Sequence, residues 1–186
     1  MRMQMNIRLE NQERIMKLLQ ESGKKTKPII KKAVNEAAGK AKEKIYSGAK
    51  QDYTIKRSVF SKKDLSIKKA TVSRLYAQLE VSGSPLPLPK AYKTAKGGKR
   101  TAAKAAVKKG SLKPLQKGSL KGFVNQMRSS HKGIFQRISK ARFPIKELMG
   151  PSVSKLSETV YRPMEEELQE GLNKAVLNFI DEAFKA

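Results

Sequence analysis

The sequence predicts an α+β fold: an antiparallel sheet packed against N-terminal helices and a long C-terminal helix, with a Lys-rich loop insertion. Three observations carry this. Residues 1–9 alternate, with Met1, Met3, Met5, Ile7 and Leu9 on one side and Arg2, Gln4, Asn6 and Arg8 on the other. That period of two belongs to a half-buried strand. Residues 26–48 and 161–184 instead space their apolar side chains by three and four, the period of a helix. A Pro/Gly/Lys-rich stretch, 82–122, breaks both patterns. The 186 residues are expected to form a single α+β domain over 1–186, with 82–122 an insertion or extended loop within it.

Taken in order, strand 1–9 is followed by Asn11, a helix cap, and by Ile15, Leu18 and Leu19 on a short helix closed by Gly23. Thr26 and Pro28 open a second helix, because proline is tolerated in a first turn. Ile30, Ala33, Val34, Ala37, Ala38, Ala41 and Ile45 form its apolar stripe, and Gly48 is expected to end it. Gly39 costs that helix about 1 kcal/mol relative to Ala, and is read as permitting close packing. Residues 53–65 read as a helical turn or loop. Residues 67–81 alternate again through Thr71, Ser73, Leu75, Ala77, Leu79 and Val81, and predict one long strand with a turn near Lys69. The prolines of 83–89 then end regular structure, since they lack the donor a ladder needs.

Residues 90–110 are of low complexity, with 101–107 either a strand or part of a mobile loop, and 112–121 reads mostly as loop. Phe123 and Val124 are expected to anchor a turn. Residues 134–138 and 145–149 read as two short strands joined by a hairpin-like turn at 141–144. Gly150 and Pro151 stop the chain, and Ser152 caps a short helix to about Thr159. The last helix starts at Pro163 with Glu165, Glu166 and Glu167 in its first turn, where the helix dipole favours negative charge. Tyr161, Met164, Leu168, Leu172, Ala175, Phe179 and Ile180 are its apolar stripe.

Charge is distributed unevenly. The chain holds 41 Lys and Arg against 16 Asp and Glu, a net of +25. Residues 67–146 hold 20 basic side chains and one acid, Glu80, whereas residues 147–186 hold four basic and eight acidic. A long single-sign segment marks a surface that faces a polyanion, or a flexible basic arm. The acidic C-terminal stretch offers a complementary patch for head-to-tail contact between copies.

Composition also excludes. With no cysteine, disulfides, thiol nucleophiles and Cys-based metal sites are impossible. With one histidine, His131, no paired His ligands can form, and neither a Ser–His–Asp triad nor other His-based acid–base catalysis is expected; its nearest acid in sequence is Glu147, and a turn-stabilising hydrogen bond is the favoured role. No run approaches the ~18 apolar residues of a membrane span, so a soluble chain without membrane contact is expected. No cofactor, metal or catalytic residue is assigned, and the chain is not expected to be an enzyme.

The segment Gly133-Ile134-Phe135-Gln136-Arg137, followed by Arg142-Phe143-Pro144-Ile145-Lys146-Glu147-Leu148-Met149-Gly150-Pro151-Ser152-Val153, resembles the prophage minor tail protein Z family, the tail completion proteins of long-tailed phages. Phe123 ahead of His131-Lys132-Gly133 fits the same pattern. The residues carrying the resemblance are Phe123, His131, Gly133, Arg142, Pro144, Ile145, Gly150, Pro151 and Ser152, which span about a sixth of the chain.

The resemblance implies a structural subunit of a ring, hexameric, at the head-proximal end of a tail or its neck. Its implied partners are other copies of itself, a tail terminator, tail tube subunits and the neck connector, with packaged DNA in the lumen contacted without sequence specificity. Its implied location is the virion tail or neck, after synthesis in the host cytoplasm. Six copies would carry six times +25, or +150, which calls for DNA or acidic partners nearby. Lys90, Lys93, Lys96, Lys99, Arg100, Lys104, Lys108 and Lys109 are the candidates to face DNA or an acidic partner, and Glu165, Glu166, Glu167 and Glu170 the candidates for a subunit interface. Tyr92 is the lone aromatic among those lysines, too few for a platform that stacks single strands. Composition also fits a cellular nucleic-acid-binding protein, ribosome-associated or DNA-compacting; a hydrolase or nuclease lacks the clustered acids and histidines it needs.

Overall fold

The computed structural model describes residues 2–10, 13, 15–17, 26–98, 101–127 and 129–185, with the side chains of 26 and 179–185 outside the description. The chain falls into two compact units: Met1–Ser47, Lys62–Ser82 and Ser157–Ala186 form the first, and Gly48–Ser61 and Gly83–Leu156 the second.

The first unit holds the three-stranded sheet that the alternating segments anticipate. β1 (Arg2–Arg8), β2 (Ser66–Lys68) and β3 (Tyr76–Ser82) are antiparallel in the order β1-β3-β2. Met5 and Ile7 of β1 and Ala77, Leu79 and Val81 of β3 are buried, while their neighbours face outward. The expected long strand is two strands. Thr71 and Ser73 continue the alternation, but they sit in a turn closed by reciprocal backbone bonds between Thr71 and Arg74 (2.8 and 3.2 Å) and by the Arg74 N–H on Thr71 Oγ1.

Helix α1 (Thr26–Asp52) and a long C-terminal helix, numbered α4 below (Glu165–Lys185), supply the apolar faces. Ile30, Ala33, Val34, Ala37, Ala38 and Ala41 join Ile7, Leu9, Leu75, Ala77, Leu172 and Val176 in one core. Each fully buried Ile, Leu or Val there contributes roughly 1.5–3 kcal/mol. Two expectations for α1 are corrected. Gly48 does not end it, since the helix continues to Asp52 with Ala49 buried. Gly39 does not mark a close approach: a Cβ built there meets nothing within 4 Å. Of the short helix expected after β1, Ile15 is helical and half-buried; Asn11, Leu18, Leu19 and Gly23 lie outside the described residues.

On the outer face of this sheet Glu80, the one acid of 67–146, is held from both neighbouring strands. Arg2 lies 2.6 Å from it, Lys68 2.7 Å, and the Gln4 amide donates to it at 3.1 Å. The hydrogen bonds from Lys68 and Arg2 hold the Glu80 carboxyl below its ordinary pKa of 4.5.

The second unit is assembled from short strands. β4 (Leu86–Pro87), the one-turn helix α2 (Leu88–Ala91), β5 (Lys93–Ala95), β6 (Lys104–Ala106) and β7 (Lys113–Pro114) lie in the Lys-rich stretch, followed by β8 (Gln116–Lys117) and β9 (Leu120–Gln126). β5-β6-β7 form an antiparallel sheet, and β8, β9, β10 (Lys132–Arg137) and β11 (Ile145–Glu147) a second one in the order β11-β10-β9-β8. β12 (Met149–Gly150) pairs with β4.

The Lys-rich stretch is thus largely built structure. Segment 52–56 stitches it down: Thr54 N–H donates to Val107 O (2.9 Å), Lys56 N–H to Ala91 O (2.9 Å), and Lys109 N–H to Asp52 O (2.8 Å). Phe123 and Val124 lie within β9 rather than in a turn, with Phe123 opposite Phe135. The β10–β11 hairpin matches expectation. α3 (Val153–Tyr161) likewise starts where Ser152 Oγ accepts the Lys155 N–H (3.2 Å), a cap. A 3-10 turn at Arg162–Met164 carries Pro163 into α4.

Candidate interaction site

Tyr92, on which sequence reasoning placed no structural role, organises the second unit. Its side chain is fully buried, and its hydroxyl donates to the Pro151 carbonyl at 2.6 Å. Burial is also what drives its hydroxyl far above the usual tyrosine pKa. Gly150 lies against the ring, where an added Cβ would stand 2.4 Å from Cε2, closer than atoms pack. Gly150 and Pro151 therefore provide the space and the acceptor that a buried tyrosine requires. Ser152 follows, buried, its Oγ 2.8 Å from Ser154 Oγ. The signal in the sequence is one aromatic among lysines, and its partner lies 59 residues away.

The other residues of the motif gather on the β9–β10–β11 sheet. His131 Nε2 lies 3.0 Å from Glu147 Oε1, and its ring meets Phe135 edge-on at 6.4 Å between centroids. Gly133 makes room for this pair: a Cβ there would lie 2.6 Å from Glu147 Oε1 and 2.9 Å from the Phe135 ring. Ile145 is half-buried opposite Arg137, and the Pro144 carbonyl accepts the Ile138 N–H (3.2 Å) to close the hairpin. Arg142 is exposed, its guanidinium 5.7 Å over the Phe143 ring.

Of the basic candidates, Lys90, Lys93, Lys96, Lys104, Lys108 and Lys109 are all exposed, and among the described residues none is ion-paired; Lys99 and Arg100 lie outside the described residues. The register sets Lys93 opposite Ala106 and Lys104 opposite Ala95, so these two lysines share one face of their sheet. Lys96 and Lys132, the latter missed from the sequence, border a groove of about 360 Å³ lined also by Gly97, Gly98, Thr101, Asn125 and Gln126. Gly97 is required where the chain folds back, because a Cβ there would meet the Thr101 carbonyl at 2.2 Å, and the Gly98 N–H donates to Thr101 Oγ1 (2.7 Å). The described lining holds cations, amides and a hydroxyl but no carboxylate, a surface that attracts anions.

The acidic candidates divide into two pairs. Glu167 is ion-paired to Lys44 at 2.6 Å. Glu165 accepts from Tyr161, whose hydroxyl is pushed up first by burial and then by that carboxylate. Glu166 and Glu170 are exposed. Among the described residues, no group of His, Asp or Glu is arranged to hold a metal, and no helix is long and apolar enough to cross a membrane.

No curated protein and no solved structure matches the chain. The family model of prophage minor tail protein Z (GPZ) matches residues 12–185, nearly the whole length, including the turn and strand residues above and the Lys-rich stretch between them. The chain belongs to the prophage minor tail protein Z family, and its role is structural, within a phage tail.

Proposed function

We propose that the protein completes the tail at its head-proximal end, as a non-catalytic subunit of a neck ring of six copies that stabilises this end and helps a filled head to join. The observation that carries this reading is the charge of the second unit in a tail protein: 21 Lys and Arg against two carboxylates, Asp52 and Glu147. Packed into a ring, such a surface repels itself unless anions lie against it. DNA passing through the tail and acidic rings of the terminator, tube or connector supply them. The groove between Lys96 and Lys132 suits a phosphate, and contact there is without sequence specificity, since a phosphate carries no base identity.

The test is reconstitution. Tails produced without this chain are mixed with filled heads, with and without the purified protein, and joined particles are counted. Joining restored by the protein supports the reading, and tails that join equally well without it sink it. Light scattering on the 20.8 kDa chain, with duplex DNA at low and high salt, separates the cellular alternative. A salt-stable ring gaining little from DNA fits the tail end. A monomer that coats DNA and releases it steeply with salt, roughly one power of salt per phosphate neutralised, fits a nucleic-acid coat.

A further inference from the structure

We propose that the β10–β11 hairpin tip of one copy docks on the outward face of α4 in the next copy, head to tail. This rests on the ring reading above and names its contact. The tip, residues 138–144, is fixed by the Ile138 N–H on the Pro144 carbonyl (3.2 Å) and the Ala141 N–H on Ser139 Oγ (3.2 Å). It nevertheless holds two large apolar side chains in solvent, Ile138 57% and Phe143 64% exposed. Arg137, Lys140, Arg142 and Lys146 surround them, all exposed, with the Arg142 guanidinium over the Phe143 ring. An ordered turn that exposes an aromatic ring ringed by cations suits an acidic partner with an apolar contact point.

The same chain carries that partner surface. Glu166, Glu170 and Leu177 are spaced by four and seven residues, which places them on one side of α4, about a third of a turn away from the buried Leu172 and Val176. Leu177 is 55% exposed, the one large hydrophobic of that helix so exposed among the residues whose side chains are described. Glu165 and Glu167 are engaged within their own copy, whereas Glu166 and Glu170 face outward, with Lys174 as the cation beside them. The two patches are opposite in charge, each has an apolar centre, and they are different surfaces. Contact between them is heterologous, and a heterologous contact whose rotation closes makes a ring.

The absence of native cysteine makes the test clean. Phe143→Cys and Leu177→Cys chains, with distinguishable tags, are mixed and mildly oxidised; a disulfide forms only when the two Cβ atoms come within about 4.5 Å. Both positions are exposed, so neither change empties a core. Ser111→Cys, also exposed, replaces each partner in turn as the control. The expected result is a mixed F143C–L177C dimer about fivefold above either control pairing, lowered by salt. Adding Lys140→Glu and Arg142→Glu to the first chain should abolish that excess, and adding Glu166→Lys and Glu170→Lys to the second should restore it. Equal yields in all pairings, or an excess indifferent to these reversals, overturn the proposal. If cross-linking fails while the protein still restores head joining, the contact is wrong and the tail-end role stands. If the cross-link forms and joining is unaffected by the protein, the contact stands without that role.

Discussion

Of the 41 Lys and Arg side chains, 20 fall in the first unit beside 14 carboxylates, and 21 in the second beside two. The first unit answers its cations from within. Glu80 binds Arg2 and Lys68 across three strands, Glu167 binds Lys44, and Glu43 binds Lys62. Its core is a continuous layer of Ile, Leu, Val and Ala between a sheet and helix faces. The second unit carries about the same number of cations with nothing comparable to neutralise them, and its buried positions are rich in alanine (Ala91, Ala102, Ala103, Ala105, Ala106) around Tyr92 and Phe60. One unit is electrostatically nearly self-sufficient; the other is shaped for anions that come from outside. The difference separates what holds the fold from what the fold presents.

The comparison breaks first at the cores. Leu172→Ala, in the first unit, removes a side chain that is 1% exposed and should cost about 2–5 kcal/mol in urea unfolding. Amides of β1 and β3 should exchange sooner, and a loss under 1 kcal/mol would mean that α4 does not close this core.

In the second unit the sensitive point is a hydrogen atom rather than a large side chain. Gly150→Ala drives a methyl into the buried Tyr92 ring, and a cost of about 1–3 kcal/mol is expected from overpacking. Tyr92→Phe keeps the ring and strands the Pro151 carbonyl, at about 1–2 kcal/mol by the same urea unfolding. If Gly150→Ala is neutral, Tyr92 is not the organiser described above.

Gly39→Ala sharpens the contrast from the other direction. A methyl there meets nothing within 4 Å, so the helical preference of alanine should raise stability by about 1 kcal/mol, read as a higher melting temperature.

The smallest effect is acid sensitivity. Because the folded Glu80 pKa is lowered, its contribution to stability is complete above the ordinary value of 4.5 and is lost as pH falls through the lower folded value. Glu80→Gln should flatten the stability–pH curve below 4.5 while leaving its shape above that pH unchanged. An unaltered acid limb would show that the cross-strand staple carries no linkage.

Much of the first unit, and the start of α3 in the second, is legible in the chain because the signals there are periodic and local. β1 announces itself by alternation, α1 and α4 by their stripes, and the α3 cap by Ser152 after Gly150-Pro151. Where local signals continue past a tertiary event they mislead: Thr71 and Ser73 keep strand alternation through a turn, and Gly48 sits inside a helix whose burial extends to Ala49. The His131–Glu147 pair was legible as a histidine and its nearest acid, but Gly133 as the space between them was not.

By itself the sequence determined the class of fold, the sign and location of the charge, the exclusion of cysteine chemistry and the motif that names the family. Those properties are written in residue type and spacing, which survive without knowledge of neighbours distant in the chain. Only the tertiary structure decided that the Lys-rich stretch is pinned by residues 52–56, that Tyr92 is seated on Gly150 and Pro151, and which carboxylates are engaged and which are presented. Each of these depends on atoms brought together from positions tens of residues apart, and packing and hydrogen bonding act on distance in space, which no periodicity records.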